Sequence, residues 1–261
     1  MLGVKNMEYT TETRKEQIIS KIHLFDKVKV SELALEFGTS EVTIRKDLEQ
    51  LEAEGHLMRV HGGAVGLNKL YVNMDLSERY KTNSLAKKEI GEIVSRFIED
   101  NDTIFMNAGT TLTYVLRAIQ GKQNISIVTN SVQNATEAAL YSSFNVILLG
   151  GSLDSKYQFT YGTDAEGQLG NYHAVKCIIS VDGISARSGL SLYYSNEAPL
   201  VRKMIEAADK TIIVADSSKV GKDVFARITD AKSADILVTN PGCDAGEIEK
   251  LKKAGLKIFT K

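Results

Sequence analysis

The spacing of apolar residues along the chain changes once, close to Ser84. Upstream, the segments EQIISKIHLF, ELALEF and EVTIRKDLEQL repeat apolar residues every three or four positions, which predicts three short helices. Ser31 and Ser40 precede the second and third of these helices and are good N-caps. The segment HLMRVHGGAV has strand-forming residues on both sides of Gly62 and Gly63, which predicts a tight β-hairpin.

Downstream of residue 83, apolar β-branched runs such as TIFM, ISIVTN and TIIVAD alternate with amphipathic helical segments. This alternation predicts a mostly parallel sheet with helices on both faces. The intervening residues 66–83 are polar and lack periodicity, which favours a linker. We therefore expect an α/β protein with a small helical domain at 1–65, a linker at 66–83, and a larger Rossmann-like domain, mostly parallel, at 84–261.

The small domain has the layout of a winged helix-turn-helix, in which the second helix of a pair enters a DNA groove and a hairpin lies beside the duplex. With its apolar residues turned inward, the third helix is predicted to present Thr43, Lys46, Asp47 and Gln50 outward, with Arg45 at the edge. Ser40 lies at its N-terminus, where a phosphate would meet free backbone N–H groups. Arg59 and His61 lie in the hairpin. The spacing alone also fits a solvated helix followed by an ordinary hairpin.

Charge gives DNA binding no support on its own. The whole chain has a formal net charge of −1, and residues 12–61 hold eight Lys and Arg against ten Asp and Glu, a net charge of −2. DNA affinity depends strongly on cations that neutralise phosphates. Any DNA contact therefore requires careful placement of a few cations, reinforced by oligomerisation.

The composition indicates a cytoplasmic protein that binds no membrane, metal or cofactor. The sequence has neither an apolar signal-peptide core nor a run of about 18 apolar residues. The two cysteines, Cys177 and Cys243, are far apart, which fits a reducing compartment. His173 lies four residues before Cys177, but structural zinc normally takes four ligands.

Three loops at expected strand ends combine glycine with small polar residues: NAGTT at 107–111, Thr129-Asn130-Ser131, and Gly150-Gly151. In an open parallel sheet such loops gather at the carboxyl ends of the strands, where ligands bind. Their backbone N–H groups can hold an anion, although the same residues also simply make turns. The candidate ligand-binding residues are Asn107, Gly109, Thr110, Thr111, Thr129, Asn130, Ser131 and Gly151.

The string ELALEFGTSEVTIRKDLEQLEAEGHLMRVHGGAV contains a Ser-x-x-Thr-Ile-Arg-x-Asp-Leu helix followed by an Arg-x-His-Gly-Gly-Ala hairpin. It closely resembles the winged helix-turn-helix of the DeoR family of bacterial regulators. Lys46 stands where an arginine is common, so a bidentate fork is absent there, while a phosphate contact is retained. The resemblance implies DNA contacts by Ser40, Thr43, Arg45, Lys46, Arg59, His61, Gly62 and Gly63.

The larger domain carries two further motifs. NAGTT matches an Asp-x-Gly-Thr-Thr phosphate loop, with Asn107 in place of the aspartate, and RKMIEAADKTIIVADSSKVGK is similar to a segment with an Asp-x-Ser-Lys element. Both resemble the DeoR-family sensor domain, which shares its fold with ribose-5-phosphate isomerase and the CoA transferases. The resemblance implies that Lys219 contacts a phosphate or sugar and that Asp216 holds its loop. On its own, Lys219 would be an ordinary surface lysine.

The shared fold raises an enzymatic alternative. VDGIS at 181–185 resembles the isomerase's Asp-Gly-Ala-Asp-Glu loop, in which Asp182 is kept but Ile184 and Ser185 replace the second acidic pair. Isomerisation needs a positioned base and a stabiliser for the enediolate, so this change favours a receptor in which Asp182 contacts the effector. Glu197 either binds a sugar hydroxyl or is simply a carboxylate favoured at a helix N-terminus. A CoA transferase would need a glutamate nucleophile beside a glycine loop, and no segment offers that pair.

The resemblance implies a transcription regulator, usually a repressor, of a carbohydrate-utilisation operon. Its partners would be double-stranded operator DNA and a phosphorylated sugar effector, each favouring a different arrangement of the domains. Paired half-sites on DNA require paired binding heads, so we expect a homodimer or homotetramer. A sugar-phosphate isomerase-like enzyme is the alternative.

Overall fold

The chain divides into two units, Met1–Met74 and Asp75–Lys261. The computed structural model describes residues 10–25, 27–53, 57–66 and 74–260. Within these ranges no helix is long and apolar enough to cross a membrane.

In its described part, the first unit has three helices and a three-stranded antiparallel sheet. Its elements are α1 (Thr11–Phe25), β1 (Lys27–Lys29), α2 (Val30–Glu36), α3 (Glu41–Ala53), β2 (Leu57–Val60) and β3 (Gly63–Gly66). The strands lie in the order β1-β3-β2, so the hairpin of β2 and β3 is extended by β1. The helices bury one apolar stripe each against this sheet, including Ile18, Leu33, Ile44 and Leu48.

The predicted hairpin forms, and its two glycines meet different requirements. Gly62 has a φ of 77°, in the left-handed region that disfavours a side chain. A Cβ added to Gly63 would lie 2.0 Å from the carbonyl oxygen of Val28, because Gly63 pairs with Lys29 of the neighbouring strand β1. Both glycines are therefore needed to build the wing.

Of the two predicted N-caps, one is confirmed. Ser40 Oγ accepts a hydrogen bond of 3.1 Å from the backbone N–H of Thr43, in the first turn of α3. The prediction for Ser31 is wrong: α2 begins at Val30, two residues before the predicted start at Glu32, and its N-cap residue Lys29 makes no side-chain cap. Val30 is buried in the core, so packing rather than capping sets the start of α2.

Asp47 was predicted on the outer face of α3, but it is buried. Its carboxylate forms a bidentate ion pair with Arg14 of α1, with Nε 2.5 Å from Oδ2 and Nη2 3.2 Å from Oδ1. Arg14 and Asp47 are 8% and 4% exposed. The pair joins α1 to α3 inside the unit, so Asp47 orients the helix rather than facing a partner.

The second half of the predicted linker belongs to the second unit. Asp75 caps helix α4 (Leu76–Lys81), forming a capping box with Glu78. The unit boundary accordingly falls after Met74 rather than at residue 83, since α4 docks through its buried residue Arg79. Residues 67–73 of the predicted linker lie outside the described residues.

The second unit continues with alternating helices and strands. The first group is α5 (Ser84–Ser95), β4 (Thr103–Met106), α6 (Thr110–Ala118), β5 (Ile125–Thr129), α7 (Val132–Ala138), β6 (Phe144–Leu148), β7 (Ser152–Asp154), β8 (Phe159–Tyr161) and α8 (Thr163–Leu169). The second group is β9 (Ala174–Ser180), β10 (Gly183–Ser185), β11 (Gly189–Leu192), α9 (Ala198–Glu206), β12 (Ala208–Val214), β13 (Ala226–Thr229), β14 (Ile236–Val238), α10 (Ala245–Lys253) and β15 (Lys257–Phe259).

Seven of these strands form one parallel sheet in the order β15-β14-β12-β9-β4-β5-β6. Alternate residues of a strand point to opposite faces. Ile104 and Met106 of β4 pack with α5, α6 and α7, whereas Phe105 packs with α8, α9 and α10. The prediction of a mostly parallel sheet covered on both faces is confirmed.

Removal of the Asp47 carboxylate is expected to destabilise the first unit by roughly 3–5 kcal/mol, because it leaves Arg14 buried without its anion. In the full chain, Asp47→Ala should therefore lose most hydrogen-exchange protection at the amides of α3. Asp47→Asn, which keeps an acceptor, should lose less. The control Gln50→Ala, at an exposed position of the same helix, should change stability by no more than about 0.5 kcal/mol. Equal protection in Asp47→Ala and Gln50→Ala would contradict the assignment.

Candidate functional site

The order in which strands are added to the sheet reverses between β4 and β9. From β4 the chain adds β5 and β6 on one side, and from β9 it adds β12, β14 and β15 on the other. In open parallel sheets this switch point opens a crevice at the carboxyl ends of the strands, the usual place for a ligand. Asn107 follows β4 at this point, and Ser180 ends β9.

The Asn107 side chain bridges the ends of these two strands. Its Oδ1 accepts a hydrogen bond of 2.9 Å from the backbone N–H of Ser180, and its Nδ2 donates one of 3.0 Å to the Ser180 carbonyl oxygen. The side chain is fully buried. An amide supplies the donor and the acceptor that the sheet ladder lacks here, whereas an ionised aspartate has no donor for the carbonyl.

The loop after Asn107 leads directly into helix α6. A Cβ on Gly109 would lie 2.5 Å from Cβ of Ser180, so this position accepts no side chain without a shift. Thr110 and Thr111 open α6 and are both buried. The hydroxyl oxygen of Thr110 has no hydrogen-bond partner among the described residues.

Glu197 brings a third chain segment to the same place. It directly precedes α9 and is 3% exposed. Its Oε1 accepts hydrogen bonds from the backbone N–H of Ala108 at 3.0 Å, from Asn130 Nδ2 at 3.3 Å and from Asn107 Nδ2 at 3.4 Å. Burial raises the pKa of this carboxyl to about 7; the hydrogen bonds oppose the shift, and the charge of Asp182 adds to it.

The residues of the second predicted loop, Thr129-Asn130-Ser131, have two different roles. Thr129 Oγ1 accepts from the N–H of Ser131, and Ser131 Oγ caps α7 by accepting from Asn134 N. These two residues therefore build the turn. Asn130 Nδ2 also donates to the Thr160 carbonyl oxygen at 3.0 Å, while Asn130 Oδ1 is buried without a hydrogen-bond partner in the part of the chain described. Asn130 is the member of this loop that joins the Glu197 cluster.

Gly151, the remaining loop candidate, has a packing role. Its φ is 133°, and a Cβ there would lie 2.6 Å from the carbonyl oxygen of Tyr161 in β8. The glycine thus allows the β7–β8 hairpin to close against the end of β6.

Lys219 lies at the end of a 3-10 turn, Ser217–Lys219, and is 7% exposed. Burial lowers the pKa of its ammonium to about 8, and the charges of Asp182 and Asp216 oppose that shift. Asp182 Oδ2 accepts a 3.0 Å hydrogen bond from the N–H of Tyr193. Because the Asp182 charge acts on both Glu197 and Lys219, these predicted residues share one electrostatic site.

Sequence reasoning missed a row of polar residues on the segment that enters the second unit. Arg79, Asn83 and Lys87 are spaced four residues apart. Asn83 Nδ2 donates to Asp216 Oδ1 at 3.2 Å. Lys87 is 1% exposed and donates to the carbonyl oxygen of Arg79. Burial lowers the pKa of Lys87 to about 8, with opposition from the charge of Asp216.

Arg79 itself is held by two tyrosines. Its guanidinium lies 4.4 Å from the centre of the Tyr157 ring, and its Nη2 donates to the Tyr194 hydroxyl at 3.1 Å. Tyr194 stands between Tyr193 and Glu197 in sequence. The loop at 193–197 therefore contacts both α4 and the strand ends. The four-residue spacing of these polar residues is the signal in the sequence, although Asn83, with a φ of 53°, lies between α4 and α5 and interrupts the helix.

In the first unit, the two arginines predicted to contact DNA form ion pairs with glutamates of α3. Arg45 Nη2 lies 3.1 Å from Glu41 Oε2. Arg59 Nε and backbone N each lie 2.8 Å from a carboxylate oxygen of Glu52, which lowers the pKa of that glutamate. Lys46 is exposed. A shallow groove between α3 and the wing is lined by Arg45, Glu52, Arg59 and His61, among others.

Metal-binding residue types are not gathered anywhere in the described ranges: no group of three or more His, Cys, Asp or Glu could hold an ion. His173 Nε2 instead lies 2.9 Å from Asp209 Oδ1, and Cys177 is fully buried in the core.

Comparison with known proteins finds the same two parts. A family model described as the DeoR-like helix-turn-helix domain matches residues 14–69, and one described as the DeoR C terminal sensor domain matches residues 82–241. The chain is 34% identical to the uncharacterized HTH-type transcriptional regulator YulB of Bacillus subtilis, over 94% of this chain and 95% of the relative. It is 31% identical to a putative aga operon transcriptional repressor of Escherichia coli O157:H7, over 98% and 96%.

Solved structures similar to the chain include ribose 5 phosphate isomerase A from Neisseria gonorrhoeae, with a TM-score of 0.39, 17% identity and 54% of each chain covered. A transcriptional regulator from Streptococcus pneumoniae TIGR4 has a TM-score of 0.43 and 11% identity, covering 66% of this chain and 87% of that one. Since both DeoR models match and relatives above 30% identity align along nearly the whole chain, this protein belongs to the DeoR family of DNA-binding transcriptional regulators.

Proposed function

We propose that this regulator represses a carbohydrate-utilisation operon and that a phosphorylated sugar, bound in the second unit, controls its binding to operator DNA. Two relatives support the first part by name: the putative aga operon transcriptional repressor, and the HTH-type transcriptional repressor GlcR of Bacillus subtilis, which is 28% identical over 95% of both chains. The second part rests on the site at the switch point.

The observation that carries the proposal is a concentration of buried positive charge there. Arg79, Lys87 and Lys219 are each more than nine-tenths buried, and the carboxylates near them, Asp182 and Asp216, are buried as well. Burying a cation out of water is costly unless an anion faces it. These three cations outnumber Asp182 and Asp216 by one, and burial keeps Glu197 largely protonated below about pH 7, so the site favours an anionic group such as a phosphate.

The arrangement supports one orientation for the ligand. The phosphate lies between the Lys219 ammonium and the backbone N–H groups of 109–111, with the Thr110 hydroxyl as a further donor. The sugar hydroxyls meet Asn130 Oδ1, which lacks a partner among the described residues, and the carboxylates of Glu197 and Asp182. The remaining loop residues, Asn107, Gly109, Thr111, Thr129, Ser131 and Gly151, shape the site rather than contact the sugar.

Occupancy of this site has a direct route to α4, the element that follows the unit boundary. The loop at 193–197 holds Glu197 at the strand ends and Tyr194 against Arg79. A sugar that shifts this loop would also shift Arg79. This contact offers a physical basis for reciprocal coupling between sugar and operator.

On DNA, the N-terminus of α3 is proposed to meet a phosphate through Ser40 and Thr43, with Lys46 as its exposed cation. Arg45 and Arg59 would exchange their glutamate partners for DNA. His61, Gly62 and Gly63 form the tip of the wing. Binding to paired half-sites requires a homodimer or homotetramer, and repression of an operon places the protein in the cytoplasm.

One observation favours a second candidate, a sugar-phosphate isomerase. A carboxyl with a pKa near 7, as in Glu197, suits a general base. Against it, Ile184 and Ser185 occupy the acidic positions of the resembling isomerase loop. Both are buried in β10, where the Ser185 hydroxyl bonds to Asp223. We therefore favour a receptor.

Purified protein is expected not to interconvert aldose and ketose phosphates, because no second acidic group accompanies Asp182 on its loop. A coupled spectrophotometric assay with a panel of sugar phosphates measures this. Turnover that persists through purification and disappears in Glu197→Gln would replace the receptor with an isomerase.

Lys219→Ala should weaken binding of the sugar phosphate about 10- to 100-fold, the equivalent of a charge-assisted hydrogen bond of roughly 1.5–3 kcal/mol. Lys219→Met, which keeps the apolar stem, should behave alike. Lys232→Ala, an exposed lysine in another 3-10 turn, is the matched control and should bind normally. Titration calorimetry with aldose and ketose monophosphates measures affinity, and gel shifts should show unchanged operator binding without sugar. If the Lys219 and Lys232 variants bind equally well, Lys219 lies outside the site.

Glu197→Gln should change the pH dependence of stability. The folded protein holds the Glu197 proton up to about pH 7 against an ordinary value of 4.5. The wild-type free energy of unfolding therefore falls as pH rises between these values, by up to about 3 kcal/mol. The neutral glutamine does not titrate, so its variant avoids this loss. In urea unfolding, the free energy of unfolding of the variant should therefore rise relative to that of the wild type from pH 5 to pH 7.5. Glu206→Gln, at the exposed end of α9, should show no such trend, and a pH-independent difference for Glu197→Gln would contradict the assignment.

A further inference from the structure

The outward face of α3 is defined by the residues that the helix buries, which are Ile44, Asp47, Leu48 and Leu51. At 3.6 residues per turn, the direction opposite this stripe passes through Val42 and, one turn later, Lys46. Both side chains are exposed, Val42 to 63%. An apolar and a cationic side chain thus stand side by side at the centre of the outer face.

Exposure alone would not single out Val42, because isolated apolar residues are normal on protein surfaces. Leu35 on α2 is exposed to 87%. The two residues differ in position. Val42 lies in the first turn of α3, next to the Ser40 cap, and the N-terminal residues of a recognition helix reach base edges in the major groove. Leu35 lies on the preceding helix, which crosses the DNA backbone in this motif.

We infer that Val42 reads the C5-methyl group of a thymine in each half-site of the operator. Valine has neither a donor nor an acceptor on its side chain, so it makes no hydrogen bond to a base. The thymine methyl is the apolar group on the major-groove edge of the base pairs, and contact with it distinguishes thymine from the other bases. Lys46, one turn away, is placed to hold an adjacent phosphate and fix the register.

The size of the effect follows from the surface involved. Taking one methyl group out of water changes affinity about fourfold. In a dimer bound to two half-sites, the contacts are independent and their effects multiply. The discrimination is therefore small for each site but measurable.

Deoxyuridine, which lacks only the methyl group, provides the test. Duplexes are selected from a randomised library with the full-length wild-type protein, and each thymine of the selected site is replaced in turn by deoxyuridine. For the wild type, one thymine position in each half-site is expected to lose about fourfold in affinity. Val42→Ala, which keeps only the β-carbon, is expected to show a smaller thymine preference than the wild type at that position.

Two further variants complete the design. Alanine favours a helix more than valine does, so Val42→Ala should remain folded. Val42→Thr, close to valine in shape, keeps one methyl and should retain part of the discrimination. Leu35→Ala removes the other exposed apolar side chain and should retain all of it. The inference is overturned if the wild type shows no thymine-specific loss, or if Val42→Ala shows the same loss as the wild type.

Discussion

Two hydrogen bonds from one amide hold the centre of the second unit together where its backbone ladder stops. Strands β4 and β9 pair from Ile104 to Met106, and the Asn107 side chain extends that pairing to Ser180, the last residue of β9. This places Ala108 N at the mouth of the crevice, where Glu197 accepts from it. An aspartate, the usual residue of the resembling phosphate loop, would put a second negative charge beside Glu197. Because the Asn107 amide is neutral, it does not repel the buried Glu197 carboxyl beside it.

Apolar layers on both faces of the sheet surround these buried polar groups. Helices cover both faces of the parallel sheet, so the side chains of the strand interiors are mostly apolar, and the polar groups of the candidate site lie at the carboxyl ends of the strands. At that edge, carboxyls and ammonium groups from four chain segments lie within reach of each other's charges. Burial raises the pKa of Glu197 and lowers the pKa values of Lys87 and Lys219, in each case toward neutrality. A site of this kind responds strongly to the charge of what enters it.

Periodic patterns predicted the long elements well, since burial of one face decides both helix and strand. The parallel sheet, the capped helix α3 and the Gly62-Gly63 hairpin all followed from such patterns. The burial of Asp47 did not follow from these patterns. Its partner Arg14 is 33 residues away, and no residue of α3 indicates the ion pair. The start of the second unit was readable in principle, as Asp75 and Glu78 have the spacing of a capping box.

The site was predicted less completely than the fold. Loop composition and resemblance singled out Asn107 and Lys219, whereas for Glu197 the sequence left a sugar contact and a helix N-terminal carboxylate equally open. Their individual roles depend on contacts between distant segments, such as Asn107 with Ser180, which one sequence does not reveal. Lys87 was overlooked because a lysine in a helix is ordinarily exposed.

The division of α3 into a packed face and a free face has an evolutionary consequence. The outward face of α3 carries four exposed residues, which are Val42, Lys46, Glu49 and Ala53. These residues can be substituted without disturbing the core. Asp47, on the packed face, lacks this freedom because Arg14 depends on it. After gene duplication, a copy of this regulator could move to a new operator through a few surface changes while its fold and sugar response stayed intact. Separate regulons could then arise in one genome with little cross-talk and no intermediate that fails to fold.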